Sequence, residues 1–156
     1  MTLLSLCLLS AFPAHAGDRI SVDVPEPSGI DFDRRNGRIF VVDDGGELWV
    51  FDKDFREKDV FDLGGDLEGV HYLAGPDRLL VAVEGDEQLL SVDPDSGEEL
   101  AVYDIPRTFQ GDTVMAAGGN GIEALTVVGR RIFVANQSFD HNDDEDGSVL
   151  VELAMR

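Results

Sequence analysis

The chain has 156 residues, and its 12 Lys and Arg face 32 Asp and Glu, giving a formal charge of -20. Such a field repels phosphate backbones and anionic headgroups, which excludes nucleic acid and an anionic membrane surface as partners. Divalent cations are the favoured counter-ions of so many hard carboxylate oxygens, although an acidic surface also simply keeps an exported protein in solution.

Residues 1–16 read as a secretory signal peptide. Residues 3–12 form an apolar run too short to span a bilayer as a mature helix, and Ala14-His15-Ala16 before Gly17 is a small-residue cleavage pattern. No Lys or Arg precedes that run, so the start could lie upstream; a buried hydrophobic strand or an uncut anchor is the alternative to cleavage. Cys7 is the sole cysteine and lies in this segment, so the cleaved chain has no disulfide. Residues 18–24 then alternate apolar and polar with period two, the pattern of a strand. This leading strand belongs to no repeat of its own; in a ring of repeats it serves as the outer strand of the last one.

A repeat follows. Residues 27–32, 38–43, 47–52 and 57–63 are four short β-type runs divided by Gly, Asp and Asn turns. The same four runs recur at 67–73, 77–84, 88–93 and 98–105. Three recur again at 122–127, 131–136 and 148–153, and the chain stops before a fourth. Gly29 and Gly69 coincide 40 residues apart. Four strands per about 40–45 residues is the period of a β-propeller blade. The chain is therefore predicted to be all-β, a partial β-propeller with blade one at 27–63, blade two at 67–105 and an incomplete blade three at 121–156. A glycine-rich insertion at 106–120 separates the last two.

Strands that run antiparallel from the channel outward put two sets of turns on one face. These are the turn before each first strand and the turn between the second and third. Oxygen-bearing residues sit at both places. Ser28, Glu68 and Glu123 open the first strands, with Glu26 just before, and Asp43, Glu84 and Asn136 close the second strands. The 106–120 insertion and an acidic loop at 138–147 fall on the same face. Glu68 and Glu123 occupy equivalent points of adjacent blades, so they converge on one cation. Glu26, Asp43, Glu84 and Asn136 are additional or supporting ligands, since calcium takes about 6–8 oxygens. Strand-end capping is the competing role for these same residues. A second candidate is Asn142, Asp144 and Asp146 of the acidic loop. It fails as an EF-hand because Leu153 stands where the bidentate Glu belongs and Glu152 is one place early.

Catalytic signals are sparse. The chain has no G-x-S-x-G, and its glycine-rich insertion lacks a P-loop lysine. His71 aligns with Asp31 and Thr126 as a strand residue packed against a neighbouring blade, and His141 in the acidic loop could join a soft metal site, although one His beside many carboxylates suits calcium at least as well. Trp49 and Phe51 fit strand alternation.

The motifs Glu-Pro-Ser-Gly-Ile (26–30), Asp-Leu-Glu-Gly-Val (66–70) and Gly-Ile-Glu-Ala-Leu (121–125), each followed by a strand ending in an acid or Asn, resemble the SdiA-regulated family. That family comprises exported, calcium-regulated bacterial six-bladed propellers, distantly similar to phytase-like and gluconolactonase-type propellers. The resemblance implies calcium at the channel mouth and a periplasmic or envelope location. The chain departs from the family in having three blades, too few to close a ring. It therefore reads as a truncated product, or as half of a homodimer in which residues 18–24 of one copy add to 148–153 of the other. Two functions fit. One is a non-catalytic calcium-binding module for a ligand or partner. The other is a calcium-dependent hydrolase of the phytase-like, esterase or lactonase type, and a non-functional fragment of either is a further possibility.

Overall fold

The computed structural model describes residues 19–109, 111–113, 115, 121–137 and 149–155. Among these there are strands and turns and no helix. Blade one is a four-stranded antiparallel meander of β1 (Pro27–Asp33), β2 (Arg38–Asp43), β3 (Glu47–Phe51) and β4 (Glu57–Asp62). Blade two repeats it with β5 (Asp66–Leu73), β6 (Arg78–Glu84), β7 (Gln88–Val92) and β8 (Glu99–Asp104). A small hairpin of β9 (Thr108–Phe109) and β10 (Asp112–Thr113) lies in the insertion. Blade three has β11 (Ile122–Val128), β12 (Arg131–Asn136) and β13 (Val149–Ala154). The first strands β1, β5 and β11 pack side by side, so the blades radiate outward from them, as in a β-propeller.

Composition decides each strand's place. Second strands lie between their sheet neighbours and between blades, and β6 accordingly carries the run Leu79-Leu80-Val81-Ala82-Val83, buried throughout. Outer strands meet water, and β4 opens on Glu57-Lys58-Asp59, all exposed. Phe40, Val42, Leu48 and Val50 of blade one interlock with Leu67, Val70, Leu79 and Val81 of blade two. Leu80, Ala82 and Leu89 of blade two meet Ile122, Ile132 and Val134 of blade three, with Ile105 and Met115 closing the wedge. Each such fully buried side chain contributes about 1.5–3 kcal/mol by leaving water.

A polar clamp holds the first seam at the end remote from Ser28 and Glu68. Asp33 is buried and accepts hydrogen bonds from the Arg35 amide, Asn36 Nδ2 and the Arg38 guanidinium. Arg38 reaches across to Asp77, Asp95 and the Tyr72 hydroxyl of blade two and lies over the Phe40 and Tyr72 rings. Burial alone pushes the Asp33 carboxyl up; its donors outweigh this and hold it down at about 2.

The leading segment differs from expectation. Residues 19–24 form no strand, although the sequence alternates. A strand is completed by a ladder partner, and none of the described strands pairs with this segment. Val24 packs instead against Ile39, Val41 and Phe51 of blade one, leaving Ile20 and Val22 exposed. The predicted signal peptide at 1–16 and the predicted acidic loop at 138–147 lie outside the described residues.

Both ends of the arc carry apolar side chains. Asp31 turns toward blade two, where its Oδ2 accepts the Tyr72 amide at 2.8 Å. The alternation of β1 therefore points Ile30 and Phe32 the other way, and they are 66% and 47% exposed. On blade three, Val128 is 60% and Leu150 75% exposed.

Candidate metal centre

Every blade has the same irregularity at the start of its first strand. The β1–β2 register skips between Pro27 and Gly29, the β5–β6 register between Leu67 and Gly69, and the β11–β12 register between Ile122 and Ala124. The residues passed over are Ser28, Glu68 and Glu123. Each is the extra residue of a β-bulge, a device that re-aims a side chain away from the regular pleat. The next residue is small in all three blades because the backbones nearly touch there. A Cβ on Gly29 would stand 2.9 Å from Gly69 Cα, and one on Gly69 would stand 3.0 Å from Leu125 N. The bulges of adjacent blades are thereby brought side by side.

Opposite each bulge lies the end of the second strand. Asp43 pairs with Pro27, Glu84 with Asp66 and Asn136 with Ile122. The β2–β3 turn that follows Asp43 is tied to the start of blade one by the Asp44 amide, which donates to the Glu26 carbonyl at 3.2 Å. Asp44, Asp66 and Glu68 consequently offer carboxylate oxygens within 4.8 Å of one another. Glu84 and Glu123 belong to the same electrostatic group. Burial, followed by Glu123, Asp44, Asp66 and Glu84, pushes the Glu68 carboxyl up to about 7. Burial and then Glu84, Asp66 and Asp44 raise Glu123. Burial, Glu84, Asp44 and Glu26 raise Asp66, whose Oδ1 is buried without a donor. No cation appears among the groups that set these shifts. Crowded carboxylates with no internal counter-charge are stable either protonated or around a bound cation.

The predicted ligands divide accordingly. Of Glu68, Glu123 and Glu84, Glu68 alone offers an oxygen to the close trio with Asp44 and Asp66, while Glu123 and Glu84 act on it through their field; Glu84 Oε1 also accepts the Gly121 amide at 2.7 Å. Glu26 is exposed at the margin and contributes its field. Asp43 is buried as a turn cap: its Oδ1 accepts the Glu47 amide at 3.0 Å and its Oδ2 the Trp49 Nε1–H at 3.1 Å. Asn136 is buried at the end of β12. Asn142, Asp144 and Asp146 fall outside the described residues. Asp44 and Asp66 are members that sequence reasoning missed. The signal for Asp66 was its i, i+2 spacing from Glu68 within the Asp-Leu-Glu-Gly motif. Beside the cluster, Glu87 is buried in the β6–β7 turn and meets the Arg107 guanidinium of the insertion.

The remaining sequence candidates have structural surroundings. His71 faces blade one, with Nδ1 3.3 Å from Asp31 Oδ2, at the end of the seam remote from the acidic cluster. No Ser–His or Cys–His pair adjoins the cluster among the described residues.

Three solved structures illustrate the fold. A protein of unknown function from Bacteroides caccae superposes with a TM-score of 0.57 at 15% identity, covering 80% of this chain and 44% of its own. Myxococcus xanthus glutaminyl cyclase gives 0.55 at 13% identity, over 89% of this chain and 60% of its own. The Cps50 (Swd1) beta-propeller domain of Myceliophteria thermophila gives 0.53 at 10% identity, over 86% and 39%. At these identities the likeness concerns fold alone, and the chain spans less than two thirds of each. No curated protein matches the sequence. The family description "Phytase-like: Esterase-like activity of phytase" matches residues 23–155, from just before β1 to the end of β13, and the chain therefore belongs to the phytase-like family.

Proposed function

We propose that this chain is an exported, calcium-binding propeller unit of the bacterial envelope that engages a ligand or partner on its acidic face without covalent catalysis. The observation that carries this reading is the group Asp44, Asp66, Glu68, Glu84 and Glu123, which gathers negative charge with no internal cation. The donor set fits calcium: it is all carboxylate oxygen, drawn from two blades and a turn, and offers variable denticity. Softer metals would call for His or Cys, which the cluster lacks. Asp66 and Glu68 would hold the ion from blade two and Asp44 from blade one, within the field of Glu123 from blade three. A bound calcium ion supplies positive charge that polarises an anionic or carbonyl oxygen. Export rests on the leader pattern of residues 1–16.

Calorimetry with calcium tests the reading, comparing the wild-type chain with a Glu68→Gln/Glu123→Gln variant. Binding by the wild type and its loss in the variant is expected. Equal binding by both, or by neither, would overturn it.

The second reading, a calcium-dependent hydrolase of a phosphoester, ester or lactone, is favoured by the family match. No Ser–His or Cys–His nucleophile adjoins the cluster among the described residues, so hydrolysis there would rest on its carboxylates, Glu68 above all, as the base. The exposed Ile30, Phe32, Val128 and Leu150 at the arc's ends favour a homodimer in which blade three of each copy packs on blade one of the other. Such a ring would face two acidic clusters onto one channel.

A further inference from the structure

The strand registers set the three blades over one another, residue for residue. Gly29, Gly69 and Ala124, one step past each bulge, face Val42, Ala82 and Ala135. Ahead of the bulge the next pairs are Pro27 with Asp43, Leu67 with Val83 and Ile122 with Asn136. One step further out, the Asp44 amide meets the Glu26 carbonyl, Asp66 pairs with Glu84, and the Gln137 amide meets the Gly121 carbonyl at 3.0 Å. Asp44, Glu84 and Gln137 are thus one position, which opens the turn after the second strand. Glu26, Asp66 and Gly121 are another, two residues before the bulge residues Ser28, Glu68 and Glu123.

This equivalence divides the acidic face into seams. At the first seam, Asp44 of blade one meets Asp66 and Glu68 of blade two, with carboxylate oxygens within 4.8 Å of one another. The corresponding residues of the second seam are Glu84 of blade two with Gly121 and Glu123 of blade three. Here the middle position is glycine, and Glu84 has turned into the room this leaves. Its Oε1 accepts the Gly121 amide at 2.7 Å, and a Cβ on Gly121 would stand 2.9 Å from its Cγ. Glu84 therefore has a main-chain donor already, whereas Asp66 Oδ1 at the first seam is buried without one. A seam closed between blade three and blade one of a second copy would bring Gln137 to Glu26 and Ser28, a single acid.

We propose that the cation site belongs to the first seam and not to the channel axis: the ion lies between blades one and two on Asp44, Asp66 and Glu68, and the difference between Asp66 and Gly121 opens the first seam to a cation and closes the second. This rests on the calcium reading above and adds the ion's position and its specificity-determining residue. Ligands from both sides of one seam make the ion a staple between two blades. Glu123, one blade further on, acts through its field alone, which water screens.

Calorimetry with calcium on the full chain tests this through isosteric variants and through stoichiometry. Glu68→Gln and Asp66→Asn each remove a charged ligand and should weaken binding about tenfold or more. Glu123→Gln removes only a neighbouring charge and should change it about two- to threefold. Gly121→Asp completes the second seam and should raise the number of ions bound by one, with circular dichroism verifying the fold. Equal weakening by Glu68→Gln and Glu123→Gln would put the ion on the axis and overturn the proposal, while calcium binding itself stood. An unchanged stoichiometry in a folded Gly121→Asp chain would overturn it as well. Should Gly121→Asp not fold, the contrast between the two glutamate variants decides. Absence of binding by the wild type would overturn the calcium reading and this proposal together.

Discussion

Glu68 should make the calcium-free protein less stable as pH rises. Its folded carboxyl titrates at about 7 against 4.5 for an ordinary glutamate, so the folded state holds this proton more tightly than the unfolded chain. Between these pH values the unfolded state releases the proton first, and stability falls with rising pH; above about 7 the penalty is complete. At full strength the change is worth about 3 kcal/mol. Solvent at this partly exposed position screens it to about 1–2 kcal/mol. Asp66 and Glu123 shift in the same direction and add to the slope. For a chain of this size the melting temperature should drop by about 3–8 °C from pH 5 to pH 8. Glu68→Gln should flatten much of that slope and raise the calcium-free melting temperature at pH 8. Calcium at about 100 times its dissociation constant should add about 2.7 kcal/mol to the wild type at pH 8. Thermal melts followed by circular dichroism, with and without calcium, measure all three. A flat pH profile without calcium, or an undiminished slope in Glu68→Gln, would refute the electrostatic reading of the cluster.

Other outcomes follow from the packing. Arg38→Met strands the buried Asp33 and should cost about 3–5 kcal/mol in urea unfolding. Acid should expose the same clamp: Asp33 is held down at about 2, so its stabilisation is intact above about pH 4 and is lost as pH falls through 2, a loss visible as a falling melting temperature. Gly69→Val drives a side chain into the Leu125 amide and should cost about 1–3 kcal/mol, with weaker calcium binding in calorimetry because the bulges move apart. Light scattering should find a dimer, and Leu150→Glu, which charges the free face of blade three, should shift it to monomer. An unaltered monomer in both cases would sink the paired ring.

The blades were legible because each strand's environment is written in its own residues. The run Leu79–Val83 can only be interior, and Glu57-Lys58-Asp59 can only face water. Repeat equivalence likewise pointed to one face for Glu68, Glu84 and Glu123, since a position that recurs in each blade recurs at one height on one face. Equivalence was silent where neighbours compete. Asp43 and Asp44 are adjacent acids, and the Trp49 indole with the Glu47 amide takes Asp43 inward, leaving Asp44 to meet Asp66. That choice depends on a residue in the next strand. The alternation of residues 18–24 misled for a related reason: period two describes which faces a segment could bury, and a ladder partner decides whether it becomes a strand. The bulges too were invisible in sequence, because an inserted residue shows only against the strand it fails to pair with.

The backbone contact from Gly29 through Gly69 to Leu125 has a consequence for how such a protein can change. Spacing between neighbouring bulges is set by main chain against main chain, so it is indifferent to which side chain the bulge carries. Serine at 28 and glutamate at 68 and 123 occupy the same socket on a common scaffold. Each blade thus has an independently replaceable contact at the mouth of the channel. Charge and ligand count can be rewritten one blade at a time, while the curvature that holds the blades together stays as it is.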